Sequence, residues 1–364
     1  MGKNILVVGH AFIVEANRKV WSKLGEDSRY SVDLITPASW TSNLVGEITL
    51  NKLKEAGIRS IFPLKTYNKG NGSFYFYHLV PLFNILRKNT YDSIIINQEG
   101  WSLSLFFFHL TRLFTKNRKS NIYLMVAQNI KKENLKWAIP LEKFSLFFVH
   151  KVLGCCQETQ DVLRWKKINT PWSYFPLYYG EGLETIEKST SQTLRLGYIG
   201  RISQEKGIDS LLEAFNILKK NIDIQLIVAG KGPLEKKLDL EGVKYLGVLP
   251  HDRVEDFYKE IDILILPSLT KDFWKEQFGR VIVESVAAGR VVIGSNSGAI
   301  PEVLEHIGLD YIFEEGNPQS LVKQIERYIK DQNSIDISLL QKRNKEMFSI
   351  EAFAERTKRI LNES

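Results

Sequence analysis

Two cations and two glutamates in the second half of the chain have the types and spacing to handle a phosphate ester. Arg201 and Lys206 stand in Gly197-Tyr198-Ile199-Gly200-Arg201-Ile202-Ser203-Gln204-Glu205-Lys206-Gly207, a run that leaves an apolar strand and enters a helix near Ile208. Glycine lets backbone approach a ligand closely, and two cations beside a helix N-terminus are suited to hold a diphosphate. The same pattern also occurs in α/β proteins that bind nothing there. Glu276 and Glu284 lie in Glu276-Gln277-Phe278-Gly279-Arg280 and in the apolar helix that follows. With that helix starting near Phe278, Glu276 sits at its mouth, Glu284 about two turns in, and the N–H groups of Phe278, Gly279 and Arg280 face an anion. A carboxylate in an otherwise apolar helix needs a partner. A ribose diol would satisfy Glu284, and so would a neighbouring loop.

Glycine turns recur after two other apolar runs. Val228-Ala229 opens into Gly230-Lys231-Gly232-Pro233, and Tyr245-Leu246-Gly247-Val248-Leu249-Pro250 follows. Open α/β sheets bind ligands at the carboxyl ends of their strands, so backbone around Gly230, Lys231, Gly232 and Val248 could receive a nucleobase. A plain turn explains each loop equally well.

Such loops need strands and helices to hold them. Residues 5–8, 32–35, 93–96 and 122–126 in the first half, and 194–199, 225–228, 263–266 and 291–293 in the second, are short β-branched apolar runs separated by longer amphipathic stretches. Near-continuous apolar strands alternating with helices predict parallel sheets covered on both faces, hence an α/β protein of two doubly wound lobes. A boundary is expected between Tyr179 and Thr193, where Gly180-Glu181-Gly182 precedes a polar stretch at 187–192. Residues 345–364 read as one charged amphipathic helix with Phe348, Phe353, Ile360 and Leu361 as its apolar positions.

Taken together, residues 194–320 resemble the donor-binding domain of family 4 retaining glycosyltransferases of the GT-B fold. The resemblance rests on Gly200-Arg201-Ile202-Ser203-Gln204-Glu205-Lys206-Gly207, Ala229-Gly230-Lys231-Gly232-Pro233, Ile261-Asp262-Ile263-Leu264-Ile265-Leu266-Pro267-Ser268, the Glu276 and Glu284 pair, and Ser297-Gly298-Ala299-Ile300-Pro301-Glu302. The first half matches more loosely, in its opening strand and in Gln128-Asn129. The resemblance implies two Rossmann-like domains facing a central cleft: an acceptor-binding domain over 1–180, a nucleotide-sugar domain over 181–345, and a terminal helix over 346–364 that crosses back to the first. It implies that Arg201 and Lys206 bind the diphosphate and stabilise the leaving group, that Glu276 holds sugar hydroxyls and Glu284 the ribose, and that backbone around Phe278, Gly279 and Arg280 contacts sugar and phosphate. Transfer with retention and without a metal or cofactor is the family expectation, and the chain has no Asp-X-Asp triplet. Two departures stand out. The glycine-rich loop common after the first strand is replaced by Gly9-His10-Ala11-Phe12-Ile13-Val14-Glu15, and the cleft histidine by Gln128 or Asn129. Neither amide can serve as a general base, which suits a front-side mechanism where the departing phosphate oxygen takes the acceptor proton. His10 is a further cleft candidate.

Charge points to a partner. Residues 1–180 hold 24 Lys and Arg against 12 Asp and Glu, and the remainder 25 against 30. A basic lobe suits an anionic membrane surface, with aromatic and basic residues interleaved over 101–119 and 131–148 and especially over 106–119. No nucleic-acid motif is present. The acceptor is therefore expected to be lipid-linked or membrane-bound, in glycolipid or surface-polysaccharide assembly. A soluble metabolite or glucan acceptor and a sugar-nucleotide epimerase of the same fold are the alternatives. The 364 residues suit two domains of about 180 each. Cys155 and Cys156 are adjacent and form no disulfide framework. No signal peptide is legible at the start, and no apolar run approaches the roughly 20 residues that span a bilayer. A cytoplasmic protein, peripheral at the inner face of a membrane, is expected.

Overall fold

The computed structural model describes residues 2–42, 46–185, 193–250 and 253–363; the polar stretch at 187–192 lies outside them. The chain forms two compact units, Met1–Pro176 with Ile350–Ser364, and Leu177–Ser349.

The first unit contains β1 (Lys3–Val8), α1 (Lys19–Gly25), β2 (Tyr30–Pro37), the antiparallel pair β3 (Ser39–Ser42) and β4 (Gly46–Thr49), β5 (Ile58–Leu64), and a second pair β6 (Thr66–Tyr67) and β7 (Phe76–Tyr77). Then come α2 (Leu79–Lys88), β8 (Ser93–Asn97), α3 (Leu103–Leu113), β9 (Asn121–Val126), α4 (Ile139–Phe147), β10 (Lys151–Gly154), α5 (Gln157–Trp165) and β11 (Trp172–Tyr174). Seven strands form one parallel sheet in the order β11-β10-β9-β8-β1-β2-β5. Ile5, Leu6 and Val7 are fully buried, as a central strand covered on both faces requires. Strands β5, β10 and β11 were not anticipated. β5, at the sheet edge, buries only Ile58, Ile61 and Leu64 and contains Pro63, so it lacks the continuous apolar run that marks the inner strands.

The second unit contains β12 (Leu194–Ile199), α6 (Ile208–Leu218), β13 (Ile224–Ala229), β14 (Val243–Tyr245), α7 (Val254–Glu260), β15 (Ile263–Leu266), α8 (Arg280–Ala287), β16 (Val291–Ser295), α9 (Ile300–Ile307), β17 (Ile312–Phe313), α10 (Pro318–Asp331) and α11 (Ile337–Phe348). Its parallel sheet runs β14-β13-β12-β15-β16-β17. Both sheets are doubly wound and reverse direction once, between β1 and β8 and between β12 and β15. Those reversals are where such sheets bind ligands.

The single helix expected over 345–364 is two helices. α11 ends at Phe348 and α12 (Ile350–Asn362) follows after Ser349. The break lets the apolar residues serve two cores. Phe348 packs against Phe278 at 5.7 Å within the second unit, whereas Phe353 meets Trp21 and Phe175 at 5.5 and 4.7 Å within the first. The Lys3 ammonium donates to the Leu361 carbonyl and the Tyr123 hydroxyl to the Ile360 carbonyl at 3.3 Å, which fastens α12 to its unit.

Candidate active site

Beyond the carboxyl ends of β12 and β15, the turn ahead of α6 meets the end of β15. Gly207 has φ 70°, and a β-carbon there would lie 1.8 Å from the Pro267 carbonyl oxygen, so only glycine allows this approach. Leu269 N–H donates to the Glu205 carbonyl at 2.8 Å and stitches the two segments together. Lys206 is thereby set beside Ser268 and Glu276. Its Nζ lies 2.6 Å from Glu276 Oε2 and 4.4 Å from the centroid of the Trp274 ring. The buried Ser268 hydroxyl donates to the same carboxylate oxygen at 2.9 Å. From the other side, Ala299 N–H donates to the Glu276 carbonyl at 3.0 Å. Gly298, at φ 55°, leaves no room for a side chain there: a β-carbon would sit 2.1 Å from that carbonyl oxygen.

The paired side chains remain within reach of solvent, Lys206 at 21% and Glu276 at 11% exposure. A ligand can therefore compete for both without opening the core.

Arg201 shares the turn with Lys206 but not its partner. The guanidinium is exposed and lies 3.6 Å from Glu205 Oε1, while the Tyr198 hydroxyl donates to the Arg201 carbonyl at 2.6 Å. The glycine turns on neighbouring strands interlock. Gly200 N–H donates to the Ala229 carbonyl at 3.0 Å, Gly230 N–H to Gly247 at 2.7 Å, and the Tyr245 hydroxyl to the Gly230 carbonyl at 2.9 Å. Gly232 N–H donates to the Glu235 carboxylate at 2.7 Å. Lys231 and Val248 lie on the exposed rim of these turns. Tyr245, half of this contact and also exposed, was not singled out from the sequence.

Helix α8 begins at Arg280, two residues later than expected. Gly279 takes the left-handed conformation at its N-cap, and Phe278 turns into the core. Glu284 therefore lies little more than one turn in, not two. It accepts from the Tyr258 hydroxyl of α7 at 3.2 Å. Burial first, and Glu284 second, push the Tyr258 pKa well up, so this hydroxyl stays a donor. The Arg280 guanidinium lies 5.6 Å from the centroid of the Tyr178 ring.

At the reversal of the first sheet, His10 opens the short turn after β1. Its ring packs 4.7 Å from Trp40 and 5.5 Å from Tyr75. Burial lowers its pKa to about 4, so it is neutral at physiological pH. Gln128 and Asn129 follow β9 and are buried. Gln128 Oε1 accepts from the Trp101 indole at 3.2 Å and from Lys166 at 3.1 Å, and Lys166 also pairs with Glu142 at 2.7 Å. Asn129 donates to Glu158 at 3.0 Å. Glu99, two residues beyond the end of β8, was not singled out although its place after a central strand was the available signal. It accepts from Ala127 N–H at 3.2 Å, and burial followed by the nearby Glu142 raises its pKa. Among the described residues, no group of three or more His, Cys, Asp or Glu could hold a metal ion. No described helix is long and apolar enough to cross a membrane.

Residues 184–346 match the family of glycosyl transferases group 1. Over 140 residues the chain is 34% identical to the amylovoran biosynthesis glycosyltransferase AmsK of Erwinia amylovora, covering 36% of this chain and 34% of AmsK. It is 33% identical over 159 residues to the lipopolysaccharide 1,2-N-acetylglucosaminetransferase of Salmonella typhimurium, covering 39% and 40%. The chain thus spans well under half the length of these curated relatives. Across all of both chains it superposes on HepE of Anabaena, solved with UDP, at a TM-score of 0.72 and 14% identity. That likeness identifies the fold as GT-B.

Proposed function

From a GT-B fold whose residues 184–346 carry the group 1 glycosyl transferase signature, we propose that this protein moves a sugar from a nucleoside diphosphate donor to an acceptor hydroxyl. The acceptor is a lipid-linked or membrane-bound glycan of polysaccharide or glycolipid assembly. The observation that carries the reading is the Lys206 and Glu276 pair at the sheet reversal, a cation and a carboxylate held together yet reachable.

In this reading the donor diphosphate draws Lys206 away from Glu276, with Arg201 as the second cation, and the freed carboxylate takes sugar hydroxyls. Glu284 holds the ribose diol beside Tyr258, and backbone around Gly230, Gly247 and Val248 faces the base. The bond from C1 of the sugar to the diphosphate oxygen breaks, and its electron pair leaves with that oxygen. The acceptor oxygen bonds to C1 on the same face, and its proton passes to the departing phosphate oxygen. Configuration is retained. Cations and helix dipoles aimed at the developing charge take the part that a divalent ion plays elsewhere. Support comes from Gln128, whose amide cannot take a proton and whose carbonyl is already engaged by Trp101 and Lys166. Incubation with nucleotide sugars and a lipid-linked acceptor, followed by NMR of the product linkage, tests the proposal. Release of nucleotide with an unchanged anomeric centre is expected. Interconversion of free nucleotide sugars without transfer would refute it.

A further inference from the structure

The outer face of α2, α3 and α4 carries an aromatic surface that the core does not use. Right-handed crossovers place these helices on one side of the first sheet, and they pack side by side. Ring contacts run without interruption from Phe76 to Phe107 at 4.5 Å, Phe107 to Phe106 at 5.4 Å, Phe106 to Phe144 at 5.6 Å, Phe144 to Phe148 at 5.3 Å and Phe148 to Phe147 at 5.3 Å. At the ends of α3 and α4, Phe114 is 80% and Phe147 83% exposed, and Trp137, just before α4, is 63% exposed. Contiguous exposed apolar surface of this kind marks an interaction site.

The rim of this surface is cationic. Arg87, Lys116, Arg118 and Lys119 line a recess of about 670 Å³ beside Phe114. These four, with Lys88 and Lys143, are exposed, and none pairs with a described carboxylate. Between Glu55 and Glu133 the sequence holds only two acidic residues, Asp92 and Glu99. Asp92, exposed and lining a second recess with Lys116 and Lys119, accepts from Asn4 N–H at 2.7 Å, and Glu99 accepts from Ala127 N–H beyond the carboxyl end of β8. Glu133, ahead of α4, is exposed and pairs with Lys136, so cations predominate on this surface without excluding carboxylates.

The sequence pointed to 106–119 as a continuous docking segment, and the structure divides it. Phe108 and His109 face the core, and Arg112 is buried with its guanidinium donating to the Asn117 carbonyl at 2.8 Å. Phe106 and Phe107 on the outer stripe of α3 are half-buried, and the exposed aromatics are Phe114 and, on or just before α4, Trp137, Phe144 and Phe147.

We propose that this face docks on an anionic phospholipid bilayer, with Phe114 and Phe147 entering the interface and the recess of Arg87, Lys116, Arg118 and Lys119 taking lipid phosphates. Exposed rings beneath unpaired cations are the arrangement that such an interface recognises: apolar groups settle at the acyl boundary while Lys and Arg meet the headgroups. A nucleic-acid duplex would engage the cations through its phosphates without drawing on the exposed phenylalanines. The proposal deepens the membrane-bound acceptor suggested above, yet docking is readable without catalysis.

The test is flotation of the full chain with vesicles of phosphatidylcholine alone or mixed equally with phosphatidylglycerol, at low and high salt. Phe114→Gln with Phe147→Gln, and Lys116→Glu with Lys119→Glu, change only exposed side chains. Melting temperature, with and without whichever of UDP, GDP or ADP stabilises the wild type, is read in parallel. Binding to mixed vesicles that salt releases, reduced at least tenfold by each double variant with melting behaviour unchanged, is the expected result. No binding by the wild type would overturn the proposal. So would full binding by the phenylalanine variant, which would leave a general polyanion surface. Loss of the nucleotide shift with vesicle binding intact would count against the transferase reading alone.

Discussion

Lys206 Nζ touches Glu276 Oε2 at 2.6 Å and stands 4.4 Å from the Trp274 ring centroid, so one cation is held by a carboxylate and by an aromatic face. The carboxylate is itself fixed by Ser268. Both charged groups are therefore held in place in the free protein, and in the proposed reading the donor exchanges their ion pair for contacts of its own. Preorganised charge of this kind lowers a barrier because no reorganisation is needed during the reaction.

Replacing either member of the pair should cost most of the activity. Lys206→Ala and Glu276→Ala are each expected to slow transfer a hundredfold or more, about 3–4 kcal/mol of barrier. Both side chains are partly exposed, so circular dichroism and melting temperature should stay close to wild type. Steady-state rates within threefold of wild type would remove the pair from the site.

Trp274 should act through Lys206. A cation-π contact contributes about 0.5–2 kcal/mol, so Trp274→Leu is expected to lower kcat/KM by roughly 2- to 30-fold. Trp274→Phe, which keeps a ring face, should recover much of the loss. Equal defects in both variants would show that the ring merely fills space.

Excess chelator should leave transfer unchanged. Lys206, Arg201 and the backbone donors around Gly279 are proposed to balance the diphosphate charge. Rates measured after dialysis against EDTA should match the untreated enzyme, and a strict requirement for added Mg²⁺ or Mn²⁺ would contradict that balance.

Acid stability should report on His109. This side chain is fully buried, and neither ring nitrogen has a partner among the described residues. Burial, with Arg112 adding to it, lowers its pKa from 6.5 to about 3. The folded state therefore stays neutral where the unfolded chain takes up a proton. Stability is complete above pH 6.5 and falls as pH drops towards 3. His109→Leu should flatten urea-measured stability between pH 6 and 4 by about 1.4 kcal/mol per pH unit. An unchanged slope would mean that the imidazole gains a proton partner in the folded state.

The inner strands were legible in the sequence because residues such as Ile263, Leu264 and Ile265 are buried on both faces and leave an unbroken apolar run. Edge strand β5 was not, since one side of it meets solvent. The identities of Lys206 and Glu276 could be read from their motifs, but their contact could not. They lie 70 positions apart and meet only because Gly207 and Gly298 admit close backbone approaches. The start of α8 was misplaced because Phe278 continues the apolar pattern while Gly279 interrupts the backbone. The break at Ser349 was hidden for a related reason: Phe348 and Phe353 both read as apolar positions of one charged stretch although they belong to different cores. His10, Trp40 and Tyr75 come from three separate segments, and nothing local announces that they form one cluster.

Donor binding at the Lys206 and Glu276 pair is the central claim. Thermal melting of wild type, Lys206→Ala and Glu276→Ala should be recorded with UDP-, GDP- and ADP-sugars. A ligand that binds only the folded state at a hundred times its Kd adds about 2.7 kcal/mol to stability. One nucleotide class is expected to raise the wild-type melting temperature by several degrees, with the shift greatly reduced in both variants. No shift with any nucleotide sugar, or an undiminished shift in both variants, would contradict the assignment of this site.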